Sequence, residues 1–396
     1  MDFTFSPEQE ALRDAVRSFL DREGGRDLVR QAVEDGGRLP GHLWSRLVDL
    51  GWAGLLVPDE LGGAGLGLVD LVVVQEELGR RAFAGPFLSS AVQATLAARR
   101  LGERQLLRGL ASGATRGTLA LEERGDGGGV GAGVGGSVSR GPLAGVTTRA
   151  GRDPSHDDRW LLDGLKPVVL DGDTADWALV VARDQRHRLA TFLVEEPRAE
   201  AVAGLDVTRR LSRLELHQRP ARRVGPPGDQ TEPLRRVVDD VAVALCAETV
   251  GACDAALAMA VDYAKVRVQF GRPIGSFQAI RHKIVDMLHN LELARVATHY
   301  AAWASDVDDP GRATAAAMAK GFVGEAANMI TAENIQVHGG VGFTWEVDCH
   351  LLFRRAKQND VLFGRAAWHR QRVADMVLGP VGSPGPTGSQ SDRSRA

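Results

Sequence analysis

Gly131-Ala132-Gly133-Val134-Gly135-Gly136 satisfies G-x-G-x-x-G, a spacing that can present backbone amides to a pyrophosphate at the start of a helix. That chemistry needs a strand before the loop and a helix after it. No strand precedes the run, and Ser137–Gly145 carries glycine and proline in place of helical periodicity, so a glycine-rich surface loop is predicted. His156-Asp157-Asp158 offers metal-ligand side chains, but no second cluster stands at ligand spacing, which predicts a solvated turn. Ser137 and Ser139 lack the sharp strand–turn–helix setting of an activated nucleophile. Cys246, Cys253 and Cys349 are odd in number and show no CxxC pairing, which fits a reducing compartment and argues against a metal centre.

The elements that would position a site are read from periodicity. Ser6-Pro7-Glu8-Gln9 has the form of a capping box with proline at the first helical position, and Leu12, Val16, Phe19 and Leu20 then share one face. Further helices are predicted around His42–Leu50, Leu66–Arg81 and Leu88–Leu101, with Pro58–Gly63 as a loop. From about residue 118 the period shortens to two. Trp160–Leu165 reads as a strand entering an Asp163-Gly164 turn, with Trp177–Ala182 and Leu189–Val194 as further strands. After Pro233 helices return, and Phe277, Ile280, Ile284, Met287 and Leu291 form the stripe of a helix packed in a bundle. Four helices are expected near 231–266, 277–306, 311–338 and 346–377. The expected architecture is α+β. A helical domain over 1–117 leads to a mostly antiparallel β domain over 118–228, then a four-helix bundle over 229–378 and a disordered Gly/Pro/Ser-rich tail over 379–396.

Bulk properties narrow the function classes. The 396 residues are 44% hydrophobic and 25% charged, ordinary for a soluble globular protein, and a formal charge of −3 gives no case for a nucleic-acid surface. No run is read as reaching the roughly 18 apolar residues of a membrane span. Met1-Asp2-Phe3 leads straight into a helix without a signal peptide, so a cytoplasmic protein is expected.

Several stretches, in order, resemble the acyl-CoA dehydrogenase family over roughly residues 5–378. Gly51-Trp52-Ala53-Gly54-Leu55-Leu56-Val57-Pro58, Gly62-Gly63 and Gln75-Glu76-Glu77-Leu78-Gly79 resemble its N-terminal helical domain. Asp163-Gly164-Leu165-Lys166 and Ala175-Asp176 resemble its middle β domain. Arg267-Val268-Gln269-Phe270-Gly271-Arg272-Pro273-Ile274, Gln336-Val337-His338-Gly339-Gly340-Val341-Gly342-Phe343 and Arg354-Arg355-Ala356-Lys357 resemble signatures of its bundle. The resemblance implies FAD as cofactor, an acyl-CoA substrate oxidised to the trans-2-enoyl-CoA, and an electron-transferring flavoprotein as acceptor. In such a reaction one carboxylate takes the α-proton while a hydride leaves the β-carbon. The α-C–H beside a thioester is a very weak acid, so a positioned base and a polarised carbonyl are both required.

Carried over residue by residue, Arg267, Gln269 and Phe270, with Gln278 beyond them, match the element that reaches the FAD of the neighbouring subunit. Gln336, Gly339 and Gly340 match a second such element. A guanidinium suits a pyrophosphate, and glycines let backbone amides approach it. The middle domain departs from the family. Where [YL]-x-x-T-E-P-x-A-G-S-D is usual, the chain reads Leu119 to Gly129, with Glu122 for the threonine and Gly128 for the serine. Pro167-Val168-Val169 stands for W-[IV]-[TS], again without a hydroxyl. An ungapped count from Arg354–Lys357 puts Phe363 at the position of the family's base. The alternative base position, counted back from Arg267, is Val241, followed by Ala242. Neither Phe363 nor Val241 can accept a proton. Asp239 and Asp240 are fallback bases that would need a shift in helical register, and Glu248 lies two turns further on.

Elements donated to a neighbour are kept, and those serving the chain's own flavin and substrate are eroded. This implies a hetero-oligomer in which a homologous catalytic chain shares its FAD with this one, as in family members of α2β2 type, some of which act on CoA thioesters of steroid side chains. Two other readings stay open: a self-sufficient homo-oligomeric dehydrogenase with a relocated base, and a flavin-free acyl-CoA-binding scaffold.

Overall fold

The computed structural model describes residues 5–23, 25–123 and 141–379. The Gly131–Gly136 pattern, Gly128, Ser137 and Ser139 lie outside them, as does the tail beyond Gly379. The N-terminal part is helical: α1 (Pro7–Arg22), α2 (Gly25–Glu34), α3 (Gly41–Asp49), α4 (Leu68–Arg80), α5 (Thr95–Leu101) and α6 (Arg104–Ala111). Ser6 caps α1 as its sequence requires. Its hydroxyl accepts from the Gln9 amide, and the Gln9 side chain accepts from the Ser6 amide in return. The helix expected over Leu88–Leu101 is two pieces, because Phe87–Ala94 is a π-helical stretch with all eight residues buried. Its two serines find partners inside: Ser89 donates to Asp171 at 2.6 Å, and the Ser90 hydroxyl accepts from the Gly117 amide at 3.2 Å. Wide π turns are rare and concentrate at functional places.

Seven strands follow: β1 (Gly117–Ala120), β2 (Arg149–Arg152), β3 (Arg159–Leu170), β4 (Trp177–Arg183), β5 (Leu189–Glu195), β6 (Glu200–Val202) and β7 (Leu211–Val224). β4 pairs with both β2 and β5, so the sheet closes on itself around Trp160, Leu162, Val180, Phe192, Leu214 and Leu216. Most pairings are antiparallel, but β1–β4 and the short β2–β4 contact are parallel, which makes the sheet mixed. The Asp163-Gly164 turn is not there. β3 runs straight through it, and Gly164, at φ +152°, takes up a register shift against β7. A Cβ at Gly164 would crowd Thr148, so glycine serves a bulge here and not a hairpin.

The bundle comprises α7 (Thr231–Val266), α8 (Gln278–Asp306), α9 (Arg312–His338), α10 (Cys349–Val361) and α11 (Ala366–Leu378). The fourth expected helix is thus broken between α10 and α11, where Phe363 at φ +56° and Gly364 at φ +98° redirect the chain. α7 is 36 residues long and apolar enough to span a bilayer by length and composition, contrary to the reading that no such run exists. Within its apolar window 78% of the residues are buried inside the protein, so this is the signature of a core helix. α4 crosses it at Gly79 and Gly251, where a Cβ would run into the Glu248 and Glu76 carbonyls respectively.

A fully buried Arg355 on α10 joins the three parts. It donates to Glu248 on α7 at 2.7 Å, to Asp206 and Thr208 ahead of β7, and to the Ala82 and Phe83 carbonyls at 3.2 Å each.

Candidate functional site

Phe363 lies in the break between α10 and α11 and is 3% exposed. Its backbone N–H donates to the Glu122 carboxylate at 2.6 Å, joining the chain just beyond β1 to the bundle. On the other side, the Phe363 carbonyl accepts from His369 Nε2 at 3.0 Å. Burial pulls the His369 imidazole down to about 3, with Lys320 adding to the effect, so the ring is neutral at pH 7 and Nε2 carries its proton. Burial pushes the Glu122 carboxyl up to about 7, against the Phe363 N–H and the charge of Lys320. Lys320, on α9, spends its ammonium on the Asn359 and Asp360 carbonyls at 2.7 and 3.1 Å. A carboxyl, an amine and an imidazole therefore gather around a phenylalanine. Counting found Phe363 and Glu122 one by one; their contact spans 241 positions and has no local signal.

The adjacent Glu123 turns the opposite way. It accepts from the Thr147 and Thr148 amides at 2.6 and 3.1 Å and pairs with Lys166, a core lysine that also donates to the Val181 carbonyl at 2.6 Å. Lys166, picked out within Asp163–Lys166, thus anchors the end of β1.

Val241 and Ala242 are wholly buried in α7. Asp239 is held by Arg372 at 2.7 Å, and Asp240 by Arg100 at 3.0 Å and the Ser305 hydroxyl at 2.5 Å. Both line a cavity of about 330 Å³ together with Arg235, Arg236 and Arg312. Steps of three or four residues lead from Asp239 to Val243 and Cys246, from Arg312 to Ala316 and Lys320, and from Arg372 back to His369. Its floor therefore lies about one helical turn from the Glu122 cluster. Burial raises the Asp239 carboxyl, and Arg372 opposes it. Burial would raise Glu248 too, but Arg209 and Arg355 outweigh it and hold the carboxyl at about 2. Glu248 is a structural anion.

The remaining candidates face outward. Val268–Gln269 and Arg272–Pro273 form a short hairpin, with Phe270 at φ +52° and Gly271 at φ +77° in its turn. Phe270 is 92% exposed, and Arg267, Gln269 and Gln278 are exposed as well. Gln336 is exposed at the end of α9, and a Cβ on Gly339 or Gly340 would meet nothing within 4 Å, so that backbone is open to a ligand. Arg267 stands 26 residues beyond Val241, about 39 Å along the helix at 1.5 Å per residue. These two places cannot serve one flavin ring within one chain. An exposed arginine and open amides suit a pyrophosphate. The positions that the resemblance assigns to the flavin ring do not suit one: a carboxyl stands in place of a hydroxyl, and Val169 packs into the β core.

Comparison with known proteins bears on the whole chain. Residues 6–134 match the sequence profile of the acyl-CoA dehydrogenase N-terminal domain, and residues 237–378 that of the C-terminal domain. The acyl-CoA dehydrogenase IpdE2 of Mycobacterium tuberculosis is 33% identical over 88% of this chain and 91% of its own. The fold is similar to a variant of the Tcur3481–Tcur3483 steroid ACAD, with TM-score 0.79 and 30% identity over 94% of this chain and 98% of that one. It is also similar to the ChsE4–ChsE5 complex of Mycobacterium tuberculosis, with TM-score 0.83 and 27% identity over 97% and 100% of the two chains. With its helical, β and bundle parts in that family's order, the chain belongs to the acyl-CoA dehydrogenases, a family of FAD-dependent oxidoreductases.

Proposed function

We propose that this chain is the non-catalytic subunit of a hetero-oligomeric acyl-CoA dehydrogenase. It completes the FAD site of a homologous catalytic chain, which supplies the base and the flavin-ring contacts. The observation that carries this reading is the split along α7. The outward Arg267–Phe270 hairpin and the Gly339-Gly340 turn are fit to grip a cofactor, while Val241 and Phe363 at the other end have no proton acceptor. The similarity to a steroid ACAD and to a two-component complex supports a CoA thioester of a steroid side chain as substrate of the assembly. Electrons then pass from the flavin to an electron-transferring flavoprotein.

Within the complex, this chain binds and orients. Arg267 and Gln269 neutralise and hold the pyrophosphate, the Gly339-Gly340 amides approach it, and Phe270 packs on the adenosine. Co-expression with a homologous catalytic chain tests the reading. The chain alone is expected to be colourless, and the pair yellow and able to reduce an electron acceptor with acyl-CoA. A chain that is yellow and active alone would refute it.

One observation favours a second reading, a self-sufficient enzyme: Asp239 and Asp240 border a cavity large enough for a ligand group. Both carboxylates are already bound to arginines, so a substrate would have to displace Arg372 or Arg100 before either could act as base.

A further inference from the structure

By the family resemblance, Glu122 and Phe363 take two positions that would border a flavin ring and a thioester in this chain. One takes the position of the ring-binding threonine, the other that of the base. A flat ring inserted between two groups, in van der Waals contact with each, needs about 7 Å between them. Here the two residues are in direct contact, with a carboxylate oxygen 2.6 Å from the Phe363 nitrogen. The Phe363 peptide is clamped from both sides, its N–H by Glu122 and its C=O by His369. Its φ of +56° is uncommon for a bulky residue and persists where surroundings hold it. Lys320 does not draw the carboxyl away, because its ammonium is engaged by the Asn359 and Asp360 carbonyls. A carboxylate here would also oppose the arrival of electrons on a flavin.

We infer that Glu122 is a latch that shuts this chain's own flavin-ring place by taking the Phe363 amide. The contact is a property of the single chain; its meaning, that the chain grips cofactor only for its neighbour, rests on the partner-subunit reading.

Amide hydrogen exchange followed by mass spectrometry, on the full chain and on its co-expressed complex, tests the latch. In a peptide spanning residues 361–365, Glu122→Ala is expected to speed exchange at the Phe363 amide at least tenfold. Glu122→Gln, whose side-chain oxygen can accept the same bond, is expected to keep the wild-type rate, and exchange elsewhere in α10 should not change. If Glu122→Ala fails to fold, Glu122→Asp, one methylene too short to reach, is read in the same way. Wild-type exchange in the shortened or truncated variant overturns the latch. So does a wild-type complex that carries one FAD on every polypeptide, because each ring place would then be open. The partner reading fails on a separate readout, colour and turnover of the chain alone.

Discussion

Phe363 and Glu122 make a pair whose energetics depend on pH. The carboxyl is raised from 4.5 to about 7 in the folded chain, so the folded state keeps a proton that the unfolded state releases. Its contribution to stability is complete below pH 4.5 and is lost as pH rises through about 7. Glu122→Gln has no proton to lose and is expected to be the more stable protein at pH 8, by about 1–3 kcal/mol, with the gap closing by pH 4.5. Urea denaturation of both proteins across this range measures it. The charged group facing the carboxyl is Lys320 from α9, which in turn faces Asp360 from α10, His369 from α11 and Cys246 from α7. His369 acts in the opposite sense: its depressed value costs stability as pH falls below 6.5, so the difference between the two proteins isolates Glu122. A second prediction belongs to Arg267, exposed at the far end of α7. Arg267→Ala should weaken FAD binding by the co-expressed complex roughly tenfold to a hundredfold, the scale of a lost charge-assisted hydrogen bond. The melting temperature of the chain alone should stay within about a degree, and Lys should rescue only in part. Titration calorimetry with FAD and a thermal melt check the two halves.

Helices and strands were largely legible where the signal is local. The α1 capping box, β4, β5 and the α8 stripe follow from caps and periods a few residues long. Three elements were not legible, each for a tertiary reason. Asp163-Gly164 has the composition of a turn, but pairing with β7 keeps β3 extended through it. The π turn at Phe87–Ala94 keeps helical periodicity and differs only in winding, and the α10–α11 break depends on a positive φ at a phenylalanine. The outward-facing candidates follow from motifs, whereas the Glu122 contact joins segments 241 residues apart and has no pattern to read. Arg355 illustrates how such long-range contacts hold elements in place. Arg355→Ala would leave Asp206 buried without its cation and Glu248 with Arg209 alone, and a loss of about 3–5 kcal/mol is expected in chemical denaturation. Gly79→Ala, which sets a methyl against the α7 backbone, should also destabilise, by about 1–3 kcal/mol in the same assay.

Across the whole molecule, α8 shows solvent a second apolar face. Val285, Leu288, Leu293 and Val296 are each between 46% and 59% exposed, while Met287 and Leu291 are buried. A homologous chain in the proposed hetero-oligomer would cover such a face. The double variant Val285→Glu with Val296→Glu is expected to abolish copurification with the catalytic chain while the circular dichroism of the isolated subunit is retained. α7 itself carries a consequence for how such a subunit can arise. Sites more than about 10 Å apart rarely couple energetically, and the two ends of this helix are separated by several times that distance. After a gene duplication, one copy could therefore lose its acid–base end by drift without any selection against the change at its cofactor-gripping end. In the proposed subunit, the length of one helix would let the two ends of α7 have separate mutational histories.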